Sequence, residues 1–220
     1  MNVGIENLSR IIGKKYLMKG CLFMNMKPKK YLCSIILSTL FTILLATPVF
    51  AITPTFTYSC SRGVNVYYYI ENGSSNPLYT PIRDAAYNWE HTGYGSNPIY
   101  LYIKSTNSGT AIDFYAKTSS YWGPDGDNIG GQTRPMNASG YEIDPNLSNW
   151  LYSEIYLNNT ALSTLSSSLR QGVTAHEMGH AFGLAHYNSN PTGSIMCQTA
   201  YGRTVQTVQQ EDNDAINAKY

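Results

Sequence analysis

The chain has 220 residues, of which only 13% are charged and 13% aromatic, and a formal net charge of +1. That charge is uneven: residues 52–220 hold eight Lys and Arg against thirteen Asp and Glu, a net charge of −5. No basic face is left there for nucleic acid, and those 169 residues suffice for one domain with a core of its own.

The first 51 residues read as an N-terminal extension and a secretory signal peptide. Lys27, Lys29 and Lys30 precede a largely apolar run from Tyr31 to Ala46, and a small-x-Ala site ends at Ala51. Met24 or Met26 stands where such a signal would normally start. An uncleaved membrane anchor is the alternative, because residues 31–52 could just span a bilayer. Cleavage after Ala51 would leave a single domain at 52–220, expected to be extracellular, monomeric and without stable membrane association.

Along that domain, residues 58–71 alternate around Val64, Val66, Tyr68 and Ile70 and predict a strand. Residues 72–77 predict a loop. Residues 78–91 carry Ile82, Ala85, Ala86 and Trp89 at helical spacing, with His91 at the end. Strands are expected over 99–104, 111–117 and 154–158. Between them, residues 124–131 form a loop dense in glycine and oxygen ligands. Asp125 and Asp127 there suit a calcium ion as well as they suit a plain turn. Ser168 and Gln171 have the spacing of a capping box, so a buried helix should start near Leu169.

That helix carries the most informative string in the chain. Residues 176–186 read His-Glu-Met-Gly-His-Ala-Phe-Gly-Leu-Ala-His, with every fixed position of H-E-x-x-H-x-x-G-x-x-H filled. His176 and His180, four apart, project from one helical face. Gly183 can take the left-handed conformation that ends a helix and swings His186 back toward them. Three neutral imidazoles with a fourth position open is the donor set of a catalytic zinc rather than a structural one.

The extended string resembles the metzincin clan of zinc endopeptidases, and the surrounding segments are most similar to its matrixin branch. Ser194-Ile195-Met196 stands at the spacing of the clan's methionine turn, residues 155–158 resemble the strand before the active-site helix, and residues 208–220 resemble the closing helix. The resemblance implies an α+β fold: a twisted, mostly parallel five-stranded sheet with an antiparallel edge strand over 129–135, an active-site helix and a C-terminal helix. It implies a secreted zinc endopeptidase acting on protein or peptide substrates. His176, His180 and His186 would hold one catalytic zinc, Glu177 would be the general base toward the attacking water, and Met196 would form an apolar floor. Tyr201 would wall the pocket for the residue after the scissile bond, and Asp212 would anchor the closing helix to the methionine turn. Tyr187 and Gln198 depart from residues common in the clan, and with only His91 left outside the string no second zinc is expected.

Two cysteines, Cys60 and Cys197, fall in the exported part, and pairing is their simplest fate in an oxidising compartment. Zinc binding by Cys60 in a latent form is the alternative. A non-proteolytic, metal-containing binding or toxin-like protein on the same scaffold stays open beside the peptidase, since fold does not fix function.

Overall fold

The computed structural model describes residues 52–220; the expected export segment at 1–51 lies outside them. Strand β1 (Asn65–Ile70) alternates as expected, burying Val66, Tyr68 and Ile70. It starts later than the sequence pattern suggests. The Gly63 N–H donates to the Cys60 carbonyl (3.0 Å), and Gly63, at φ +71°, turns the chain before the strand begins.

Helix α1 (Tyr79–Glu90) follows, with Ile82, Ala85, Ala86 and Trp89 buried along one stripe and His91 at its C-cap. Its crossover returns the chain to β2 (Tyr100–Lys104), parallel to β1. Strand β3 (Ile112–Lys117) lies parallel on the other side of β1. The loop expected at 124–131 is instead mostly 3-10 turns over Ser119–Asn128, interrupted at Gly123 (φ +76°). Strand β4 (Gly131–Met136) and strand β5 (Tyr152–Asn158) complete the sheet.

The order across the sheet is β2-β1-β3-β5-β4. All neighbours are parallel except β4, which runs antiparallel to β5 as the edge strand. A parallel sheet needs crossover helices, and these supply the second layer. The short helix α2 (Asn159–Ser163) leads into α3 (Ser167–Ala181), and α4 (Gln210–Lys219) closes the chain. The expected fold class and its edge strand are therefore present.

Helix α3 packs against α1 and β4. The Trp89 indole N–H donates to the Ala175 carbonyl across the two helices (2.9 Å), beside the buried Phe182. Ala175, Met178 and Phe182, opposite the histidines, are all buried, so the helix is held on both sides. Its start is Ser167, two residues before Leu169. Ser166, not Ser168, caps it, accepting from the Leu169 N–H. Among the described residues, no helix is long and apolar enough to cross a membrane.

Cys60 and Cys197 are not paired; both are buried free thiols, which corrects the expected disulfide. The reason is position. The Cys60 thiol lies against the Leu151 carbonyl, while the Cys197 thiol lies among the carbonyls of Asn188, Gln198 and Tyr201. Burial pushes both thiols up in pKa, and neither belongs to the histidine cluster.

Candidate metal centre

Helix α3 delivers His176 and His180 one turn apart, and a sharp exit delivers His186. The exit has the hydrogen bonds of a Schellman motif: the Leu184 N–H donates to the Gly179 carbonyl (2.9 Å) and the Gly183 N–H to the His180 carbonyl (2.9 Å). Gly183 takes φ +92°, as its left-handed role requires. A segment no motif announced braces this turn. The Phe56 N–H donates to the Gly183 carbonyl, the Ala185 N–H donates to the Pro54 carbonyl, and the Phe56 ring stacks on His180 with centroids 5.9 Å apart.

The three imidazoles converge. Their ring centroids lie 4.6 to 5.2 Å apart, and one nitrogen from each falls within 4.8 Å of the others. Nδ1 of His176 contacts the Ile195 carbonyl and Nδ1 of His180 the Leu184 carbonyl, each at 2.8 Å. A carbonyl only accepts, so both Nδ1 atoms carry the proton and both Nε2 atoms present a lone pair. Burial pushes His176 well below the usual imidazole range and His180 down to about 4, and lowers His186 as well. All three are neutral near pH 7. The Nε2 atoms of His180 and His186 stand 3.1 Å apart. Lone pairs aimed at one point by carbonyl-fixed rings fit a borderline cation such as zinc.

Glu177 lies beside the cluster, buried on the helix flank that faces β4. Gly131 makes room for it: a side chain there would meet the Glu177 Cγ at 2.8 Å. The Thr133 hydroxyl sits 2.8 Å from both the carboxylate Oε2 and the backbone carbonyl of Glu177. Burial pushes the carboxyl up to about 7, opposed by the Thr133 hydrogen bond and the Arg203 charge.

The methionine turn lies beneath. Met196 is fully buried, and a Cβ on Gly179 would come within 2.3 Å of its sulfur, so the glycine between the two helical histidines is what lets it pack there. The turn is pinned from behind by Asp212. One carboxylate oxygen accepts from the hydroxyls of Thr53 (2.6 Å) and Ser194 (2.5 Å), the other from the N–H groups of Ile195 and Gln209 (both 2.9 Å). This is the anchoring expected of Asp212, with Thr53 as an unforeseen partner.

Two cavities flank the cluster. One, of about 670 Å³, is lined by Phe56, Thr133, Pro135, Ile143 and the rings of His180 and His186. The other, of about 620 Å³, runs from His176 and Glu177 past Gly130 and Val173 to Ala200 and Arg203. Tyr201, expected to wall a pocket, is 60% exposed and lines neither; Arg203 does so from two residues on. Asp127 is exposed, and the histidines are the one cluster of three or more metal-capable side chains among the described residues.

A mostly parallel sheet with an antiparallel edge strand, backed by a helix bearing three converging imidazoles and a buried carboxylate, is the framework of a zinc metallopeptidase domain. The chain matches the peptidase M10 family model, Matrixin, over residues 104–220, and it belongs to that family. Comparison with curated proteins finds no match to the chain. Family and donor set together point to zinc and to a metalloprotease.

Proposed function

We propose that the protein is a secreted zinc endopeptidase in which His176, His180 and His186 hold the metal and Glu177 is the general base. The observation that carries this reading is the convergence of three neutral imidazoles beside a buried carboxylate on the same helix. Zinc, when bound, would polarise the scissile carbonyl and make an attacking water acidic enough to react near neutral pH. Glu177 then takes the water proton and delivers it to the leaving amine. The Thr133 hydroxyl holds one carboxylate oxygen in place. Met196 keeps the floor beneath the rings apolar.

Substrate binding follows from the edge strand. β4 pairs along its length with β5; on its other side only the Pro135–Met136 end is taken, by Glu142 and Ile143, so the stretch from Gly131 to Thr133 offers backbone groups to an extended peptide. Export through cleavage after Ala51 is the part of the reading that the sequence alone supports.

The test is casein cleavage and metal content of the purified protein beside Glu177→Gln. The expected result is one zinc per chain in both, cleavage abolished by a chelator, and a rate about 10²- to 10⁴-fold lower in the variant. Zinc-loaded, folded protein that cuts no peptide would leave the binding-protein reading in its place. N-terminal sequencing of the exported product should begin at Ile52; retention in the membrane would overturn secretion.

A further inference from the structure

The cavity of about 620 Å³ beside Glu177 has mostly apolar walls, including Leu162, Leu165 and Val173. Arg203 is the only lysine or arginine lining it. Arg203 is 7% exposed. Its Nη1 donates to the carbonyls of Ile195 (3.1 Å) and Cys197 (3.3 Å), but Nε and Nη2 are buried with no acceptor. The one ion pair among the described residues is Arg134–Glu142, so no carboxylate lies within 4.0 Å of Arg203. A guanidinium keeps its charge even when buried. Glu177 and Asp212 offset its charge from beyond hydrogen-bonding range, but buried donors without acceptors are costly, and folded proteins rarely leave them so.

Chain direction says which part of a substrate reaches this cavity. The chain already meets the outer side of β4 antiparallel, at Glu142 and Ile143; a peptide that continues in that sense has its N-terminal part toward Pro135 and its C-terminal part beside Gly131. The cavity of about 670 Å³ includes Pro135; the cavity with Arg203 includes Gly130 and Gly131. Residues after the cleaved bond therefore pass over Arg203.

We infer that Arg203 makes this cavity, which in the peptidase reading takes the side chain after the scissile bond, select a carboxylate, glutamate above all. This rests on the peptidase reading. Glutamate suits the site because its methylenes can lie along the leucine and valine wall while its carboxylate reaches the guanidinium. Asp127, the other acid lining the cavity apart from Glu177, is exposed. Arg203 would thus touch substrate as a specificity residue while its Nη1 holds the methionine turn.

The test uses the zinc-loaded protein and peptides identical except for Glu, Gln, Leu or Lys after the cleaved bond. Expected is a kcat/KM for Glu about 10- to 100-fold above that for the isosteric Gln, the span of one charge-assisted hydrogen bond. Arg203→Gln should bring Glu and Gln together while leaving Leu less affected; Arg203→Lys should keep part of the preference. Loss of the turn-holding bonds alone would lower all four peptides alike. If Arg203→Gln does not fold, the wild-type ratios decide. A parallel calorimetric titration with the product-like peptides Glu-Ala-amide and Gln-Ala-amide separates the two readings. Tighter binding of the Glu peptide without any cleavage would uphold the pocket and sink the peptidase. Cleavage with Glu no better than Gln, or Leu preferred over both, would uphold the peptidase and overturn the pocket.

Discussion

Replacing Asp212 by alanine should be among the most damaging single changes outside the histidine cluster. The side chain is fully buried and accepts four hydrogen bonds. Without it, the hydroxyls of Thr53 and Ser194, 3.0 Å apart, can still bond one another. The Ile195 and Gln209 N–H groups cannot be rescued in this way. An orphaned donor costs about 1–3 kcal/mol when buried, as the Ile195 N–H is, and less at the half-buried Gln209 N–H. Burial pushes the Asp212 carboxyl up in pKa, so removing the charge relieves part of that cost. A net loss of about 3 kcal/mol is expected, which for a domain this size lowers Tm by roughly 6–12 °C. Asp212→Asn should lose only about 1 kcal/mol, because its amide oxygen can serve both N–H groups while its NH₂ meets the hydroxyl pair. Zinc affinity should fall with stability in the alanine variant, about 10- to 100-fold, because the Ile195 carbonyl that orients His176 belongs to the residue Asp212 pins. Thermal melts of the metal-free proteins, with zinc titrations beside them, measure both. Alanine and asparagine variants of equal stability would refute the reasoning, because they would show that the two N–H groups do not need this carboxylate.

Two further predictions concern packing and charge. Gly179→Ala should gain about 1 kcal/mol of helix propensity yet lose more, since its Cβ would stand 2.3 Å from the Met196 sulfur and 3.2 Å from Trp89. A net loss of about 1–2 kcal/mol is expected in thermal melts, and a variant as stable as wild type would mean that Met196 yields freely. Asp113 is buried, and burial pushes its carboxyl up to about 6 from 3.8, against the Thr110 hydroxyl that bonds it. A raised carboxyl pKa means the folded state holds the proton more tightly. Its stabilising effect is present below about pH 4 and is lost as pH rises through 6. Asp113→Asn should therefore match wild type near pH 4 and exceed it by roughly 1–3 kcal/mol at pH 7.5. Equal melting curves at both pH values would count against this account.

What the sequence disclosed is what lies close along the chain. The spacing of His176, Glu177, His180, Gly183 and His186 encodes a helix, its exit and a donor set within eleven residues, and the structure brings the three rings together. Alternation placed the end of β1 to within a residue but its start seven residues early, while the apolar stripe placed α1 to within one residue at each end. The start of α3 was misplaced for a local reason. Ser166, Ser167 and Ser168 are chemically equivalent caps, and the choice among them falls to Arg170, which bonds the carbonyls of Leu165 and Ser163 before the helix.

The partners that finish the site were illegible because nothing in their own neighbourhood marks them. Thr133 sits in an ordinary edge strand, yet it meets a carboxylate 44 positions away. Thr53 and Phe56 belong to an extended run with no motif, yet the first joins Asp212 across 159 positions and the second stacks on a histidine. Tyr201 was expected at the pocket because of its type and position, but its side chain points to solvent and Arg203 takes the wall instead. The same division explains the mechanics of the site. Bonds within the string aim His180, while His176 is aimed by Ile195, 19 residues on, and Ile195 is held by Asp212 of the last helix, which also holds Thr53. The metal-binding geometry therefore depends on the first and last parts of the described chain meeting behind the methionine turn. A change at Thr53 or Asp212 should reach the imidazoles without touching them.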